Sequence, residues 1–144
     1  MITPQLYRRY LAAVVRFHVA AAESCGLGPT DYQASSLLDI EGPMTTGQLA
    51  ERLGLSPSAT TRAVDRLVTL GLAERVPDAA DRRRVLVHHT GRIPDGLAEL
   101  LGAVQRPIAE LIDGLNHTER AALAAYFAAA TDAFTRAAPQ TDGA

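Results

Sequence analysis

The chain has 144 residues, 47% of them apolar, with 14 basic side chains against 16 acidic ones and a formal net charge of −2. That length supports one compact core and is short for two independent large domains, while the apolar content excludes wholesale disorder. One cysteine, Cys25, excludes an internal disulfide framework, and weakly polar stretches such as "AALAAYFAAA" from Ala121 fall short of the roughly 20 residues of a membrane span.

Every basic side chain is an arginine, and their distribution is uneven: eight face five acids between Gly42 and Arg92, and six face eleven in the remainder. A polyanionic partner would be met by the middle of the chain. Arg8, Arg9 and Arg16 interrupt the first apolar run, which lacks the zones of a signal peptide, so the expected compartment is the cytoplasm.

Residues 5–24 carry Leu6, Tyr10, Ala13, Val14, Phe17 and Ala21 at helical spacing, and "CGLGP" ends that helix. Thr30 and Gln33 have capping-box spacing and predict a second helix from Thr30 to about Ile40, broken by "EGPM". Thr45 and Gln48 repeat the spacing before a short helix, "TTGQLAERL", that ends at Gly54. Ser56 is then an N-cap with Pro57 at the first helical position, and "PSATTRAVDRLVTL" runs to Gly71. Two helices joined by a short glycine-containing turn are the helix-turn-helix pattern.

"LAERV" and "RRVLVHH" flank "PDAAD" as a hairpin with a loop of about five residues. From Gly96 a helix runs through "LAELLGAVQRPIAELIDGL", with a kink expected at Pro107. Asn116 and Glu119 cap a last helix to about Ala138, and "APQTDGA" reads as a frayed tail.

The stretch "MTTGQLAERLGLSPSATTRAVDRLVTLGLAERVPDAADRRRVLVHHT", Met44 to Thr90, resembles the MarR family of winged-helix transcription regulators. Its most specific parts are "LSPSATTRAVDRLVTLGLAER" and "DRR", where Asp81 and Arg83 match the family's Asp-x-Arg wing signature. The sequence departs from the pattern after the wing, with His89 where the family usually has leucine, and with Gly91 and Gly96 around Pro94 where it usually has one glycine. The resemblance implies a mainly α fold with a small β-hairpin wing. In it a winged helix-turn-helix of about residues 30–92 is flanked by dimerisation helices of about 1–24 and 96–138, within a single domain spanning 1–144.

In the second helix of the motif, Thr60, Ala63, Val64 and Leu67 share one face by i, i+3, i+4, i+7 spacing and should pack on "QLAERL". The other face carries Ser58, Thr61, Arg62 and Asp65, with Ala59 toward the N-terminal end. These are the residues that would meet base edges in a major groove, Arg62 as a two-point donor to guanine. The wing tip, Asp81, Arg82, Arg83 and Arg84, either carries a solvated charge run or reaches phosphates and a narrow minor groove. The resemblance implies that Asp81 orients Arg83 and that at least one of the arginines reaches DNA, while strand alternation would send Arg83 away from Arg82 and Arg84. Thr45 and Thr46 at a helix N-terminus are candidate phosphate contacts, although capping alone accounts for one of them. Arg66 and Arg75 are divided between phosphate contacts and intramolecular pairs.

The last helix shows a broad apolar stripe, Ala121, Leu123, Ala124, Phe127, Ala128, Thr131 and Phe134, suited to a core or to a partner. The resemblance implies a homodimer that sets two recognition helices about 34 Å apart on a near-palindromic double-stranded DNA operator. It also implies a small-molecule effector site, for which Tyr10, Arg16, Phe17, His18 and Tyr32 are the polar and aromatic candidates, and repression as the mode of action. Rival readings are a winged-helix protein–protein interaction module that binds no DNA, and a redox-sensing regulator using Cys25, which has neither a second cysteine nor an adjacent base. No enzyme is expected: there is no glycine-rich phosphate loop or serine-nucleophile elbow. Of the four histidines, His88 and His89 point to opposite faces of a strand, and no Cys/His spacing resembles a zinc site. No cofactor, metal or membrane partner is expected.

Overall fold

In a computed structural model of the chain, which describes residues 1–139, six helices and one hairpin follow in the order α1 (Pro4–Ser24), α2 (Pro29–Glu41), α3 (Thr46–Leu53), α4 (Pro57–Thr69), β1 (Ala73–Pro77), β2 (Val85–His89), α5 (Leu97–Asp113) and α6 (His117–Ala137). The expected frayed tail lies, beyond Pro139, outside the described residues.

Local signals set most boundaries. Thr45 accepts a hydrogen bond from the Gln48 N–H while the Gln48 side chain accepts from the Thr45 N–H, closing the capping box of α3. Gly54 ends that helix in the left-handed conformation, at φ 66°, where a Cβ would be strained. Ser56 accepts from the Ala59 N–H at the start of α4, and Asn116 and Glu119 form the capping box of α6. The expected capping box at Thr30 does not form. Pro29 takes the first helical position with Gly28 as an N-cap that has no side chain to bond, so Thr30 already lies inside α2. Proline's fixed φ outweighs the favourable spacing of Thr30 and Gln33.

The hairpin is antiparallel, with Ala73 opposite His89 and Pro77 opposite Val85. Met44 adds a single bridge to Val87, exchanging both backbone hydrogen bonds with it, so "EGPM" extends the sheet as well as ending α2. The connection between strands runs from Asp78 to Arg84, longer than expected, and Arg82, Arg83 and Arg84 belong to that loop. Strand alternation therefore does not govern where the three arginines point.

The core lies within the middle of the chain. Ala22, Leu27, Ala34, Leu38, Leu49, Val64, Leu67, Leu72 and Val87 are buried together, with α4 packed against α2, α3 and β1. Outside that lobe burial is sparse: α5 contributes Leu97, and α6 has no buried residue. Leu6, Tyr10, Ile108, Leu111, Phe127 and Phe134 are exposed. Tyr7, Tyr10, Ile108, Leu111, Leu123 and Phe127 line an apolar cleft of about 650 Å³ between α1, α5 and α6. Among the described residues no single helix is long and apolar enough to cross a membrane.

Leu67 has no solvent exposure and touches the centre of this core. Leu67→Ala should cost about 3 kcal/mol, the transfer and cavity terms of a buried leucine. Urea unfolding should show the loss, with Ile40→Ala on the exposed surface of α2 as the contrasting variant.

Candidate nucleic-acid interface

Two faces of α4 have opposite fates. Thr60, Ala63, Val64 and Leu67 are fully buried, and the Thr60 hydroxyl is satisfied by the Ser56 carbonyl at 3.0 Å. Ser58, Thr61, Arg62 and Asp65 are exposed, and Ala59 is half-buried. The Thr61 hydroxyl donates to the Pro57 carbonyl at 2.9 Å, and Ser58 shares a hydrogen bond with Ser56 at 3.3 Å. Arg62 makes no ion pair or hydrogen bond through its side chain among the described residues, so its donors are free.

Neighbouring charges on the same helix are committed. Arg66 donates from Nε and Nη2 to the two oxygens of Asp31 in α2, both at 2.7 Å. These bonds, opposed by burial and aided by the charges of Asp31 and Asp65, hold the guanidinium even more firmly protonated than usual. Asp65 accepts from Arg75 of β1 at 2.6 Å. For Arg66 and Arg75 the structure thus realises the intramolecular alternative. Asp31 was not singled out by sequence: its partner lies 35 residues away, and an acid near a helix N-terminus is ordinarily explained by the helix dipole.

At the wing tip, Asp81 accepts from the Arg83 N–H at 3.1 Å and its carbonyl accepts from the Arg84 N–H at 2.9 Å. Asp78 likewise accepts from the Ala80 N–H, and the Asp78 N–H donates to the Arg84 carbonyl. The two aspartates fold the loop by bonding their own backbone. The Arg83 guanidinium stands 3.8 Å from Asp81 and is 95% exposed. Arg82 and Arg84 are exposed, with no side-chain partner among the described residues. The wing closes where Thr90 donates to the Gly71 carbonyl at 2.7 Å. His89, at the position that departs from the family pattern, accepts from the Gly91 N–H through Nδ1.

Thr45 is occupied by capping, whereas Thr46 opens α3 half-buried. Of the candidate pocket residues, the structure brings together His18 and Tyr32, bonded through Nδ1 and the phenol at 3.0 Å, with Phe17 edge-on to His18. His18 and Tyr32 line an apolar groove of about 360 Å³ with Val14, Val15, Val19 and Pro29. Tyr10 lies instead in the cleft with α5 and α6, and neither Arg16 nor Phe17 lines the groove, whose α1 residues Val14, Val15, His18 and Val19 form one face by i, i+1, i+4, i+5 spacing. Cys25, half-buried at the end of α1, has a free thiol 3.7 Å from the Ser24 hydroxyl. Among the described residues no group of three or more His, Cys, Asp or Glu side chains is placed to hold a metal.

The MarR family model matches residues 26–84, the segment that contains α2, α3, α4 and β1. The HTH-type transcriptional regulator YcgE of Bacillus subtilis is 45% identical over 83 residues, 58% of this chain and 54% of that protein. The chain thus spans about half the length of that curated relative. The crystal structure of RV1404 from Mycobacterium tuberculosis superposes over 92% of this chain and 95% of its own with a TM-score of 0.60, at 29% identity. A MarR family protein from Bacillus stearothermophilus shares the fold with a TM-score of 0.66 over 91% of each chain, at 23% identity. Of these proteins, YcgE is described as an uncharacterized HTH-type transcriptional regulator.

Burial, and secondarily the nearby Cys25, raise the Tyr32 phenol above its ordinary value of 10.0. A raised folded value favours the neutral phenol, so this group's contribution is complete below the unfolded value and is lost as pH rises through the folded one. The stability gap between wild type and Tyr32→Phe should therefore narrow as pH climbs past 10.0, read by urea unfolding on either side of that value.

Proposed function

We propose that this chain, which the MarR family model matches over residues 26–84, is a MarR-family, sequence-specific double-stranded DNA-binding transcription regulator. The observation that carries the reading is the division of α4, one face sealed in the core and the other presenting an unpaired Arg62 beside a hairpin with three exposed arginines. A fixed helix with a free guanidinium suits two-point recognition of guanine in the major groove, flanked by Ser58, Ala59 and Thr61. The wing arginines suit phosphates or the narrow minor groove, and the free N–H groups near Thr46 suit a further phosphate. Arg66 and Arg75 serve that surface through their ion pairs.

The working form is a cytoplasmic homodimer made by the terminal helices, about 1–24 and 96–138, around the single DNA-binding lobe. Support comes from the exposed apolar residues of α1, α5 and α6, which a second copy would cover. Two-fold symmetry then calls for a near-palindromic operator with half-sites about 34 Å apart. The groove beside His18 and Tyr32 is the site for a small-molecule effector, and release of a repressor from its operator is the response. An effector acts here only through its difference in affinity between the DNA-competent dimer and the alternative.

Sedimentation should give twice the 15.3 kDa chain mass, and Leu111→Arg in the exposed cleft should shift it toward the monomer. Fluorescence anisotropy against duplex from upstream of the chain's own coding sequence, beside scrambled duplex, should show affinity falling steeply with salt. Arg62→Ala should cost about 1–3 kcal/mol and relax selectivity, while Arg83→Ala should weaken both duplexes and flatten the salt slope. Absence of binding to any duplex at low salt would sink the proposal and favour a protein-binding role for the winged helix.

A further inference from the structure

Arg62 and Arg66 lie one helical turn apart on α4, yet only Arg62 is free. Arg66 is turned back onto α2 by a carboxylate whose side chain is 7% exposed, while its own is 53% exposed. A fork of two parallel bonds, both at 2.7 Å, fixes direction as well as distance, which an apolar contact does not. The buried face of α4, Thr60, Ala63, Val64 and Leu67, determines which side of the helix turns inward, and the fork adds a directional polar constraint to that non-directional packing. Burying a carboxylate for an ion pair is also a weak source of net stability, so its evident contribution is to geometry. The adjacent residue, Asp65, ties the helix to β1 through Arg75, and α4 is thereby gripped from α2 and from the wing at neighbouring positions.

Resting on the DNA-binding reading above, we infer that Asp31 is a positioning residue for sequence recognition: its two-point grip on Arg66 sets the rotation of α4, and so the aim of Arg62, Thr61 and Ser58. Asp31 itself is buried and contacts no DNA. The role differs from that of a phosphate contact, which would raise affinity for all sequences alike, and from that of a core residue, which would change the folded fraction without changing what the folded protein selects.

The test uses a duplex selected from a random-sequence library by the wild-type full chain, with a scrambled duplex as reference. Two variants are measured: Arg66→Lys, which keeps the charge and loses the fork, and Asp31→Asn, which keeps the shape and loses the charge. Binding is read at a temperature where circular dichroism shows each variant folded. Each variant should reduce affinity for the selected duplex by roughly tenfold or more, the scale of a mismatched base pair, and change scrambled-duplex affinity by no more than about twofold. The double variant should be no worse than the weaker single one, because the two residues act as a unit. An unchanged ratio of selected to scrambled affinity in both folded variants would overturn the role. So would equal tightening of both duplexes by Asp31→Asn, which would mean that Asp31 restrains a phosphate-binding Arg66. A wild-type chain that selects no duplex would instead refute the DNA-binding reading, and the positioning role would fall with it.

Discussion

Leu67, Val64, Ala63 and Thr60 bury the inner face of α4 completely, and the remainder of the lobe is arranged around that contact. α2 and α3 supply Leu38 and Leu49 to the same core, and Leu72, Ala73 and Val87 bring the hairpin to it. A helix sealed on one side has only its other side to offer. The single polar member, Thr60, bonds its own helix at the Ser56 carbonyl, so the seal leaves no unsatisfied hydroxyl behind. The capping at Thr45 and Ser56 and the left-handed Gly54 between them fix how α3 turns into α4.

On top of that packing the arginines are sorted by whether they have partners. Arg52, Arg66 and Arg75 are engaged by Glu41, Asp31 and Asp65, which join α3 to α2, α4 to α2, and β1 to α4. Arg62, Arg82 and Arg84 have no such partner among the described residues, and Arg83 has only a loose one. The two pairs exposed on both sides, Arg52–Glu41 and Arg75–Asp65, contribute little to stability, and all three remove charge from the outer surface at defined points. The unpaired arginines between Gly42 and Arg92 therefore collect at the outer face of α4 and the wing tip.

What the sequence made legible was local. Caps at Thr45, Ser56 and Asn116, glycine stops and helical periodicity are decided within a few residues, and each appears in the structure where its spacing indicates. The partition of α4 was equally legible, because a period of 3.6 residues leaves one face apolar. Thr30 misled because two local rules compete there and proline at the preceding position prevails. The Asp31–Arg66 fork and the Met44–Val87 bridge depend on tertiary proximity, which no spacing encodes. The candidate pocket was read as one group of aromatic and polar residues; the helix divides it, sending Tyr10 and His18 to separate depressions.

The wing carries its charge on guanidinium groups alone, as the whole sequence contains no lysine. Acylation of a lysine amine, which erases a positive charge, has no target side chain here. A guanidinium is, besides, a permanently charged group at physiological pH. Methylation would leave the charge in place and block only the paired donors. The electrostatic pull of Arg82, Arg83 and Arg84 is thus a constant of the molecule, altered by the ionic strength around it or by movement of the loop that Asp78 and Asp81 fold.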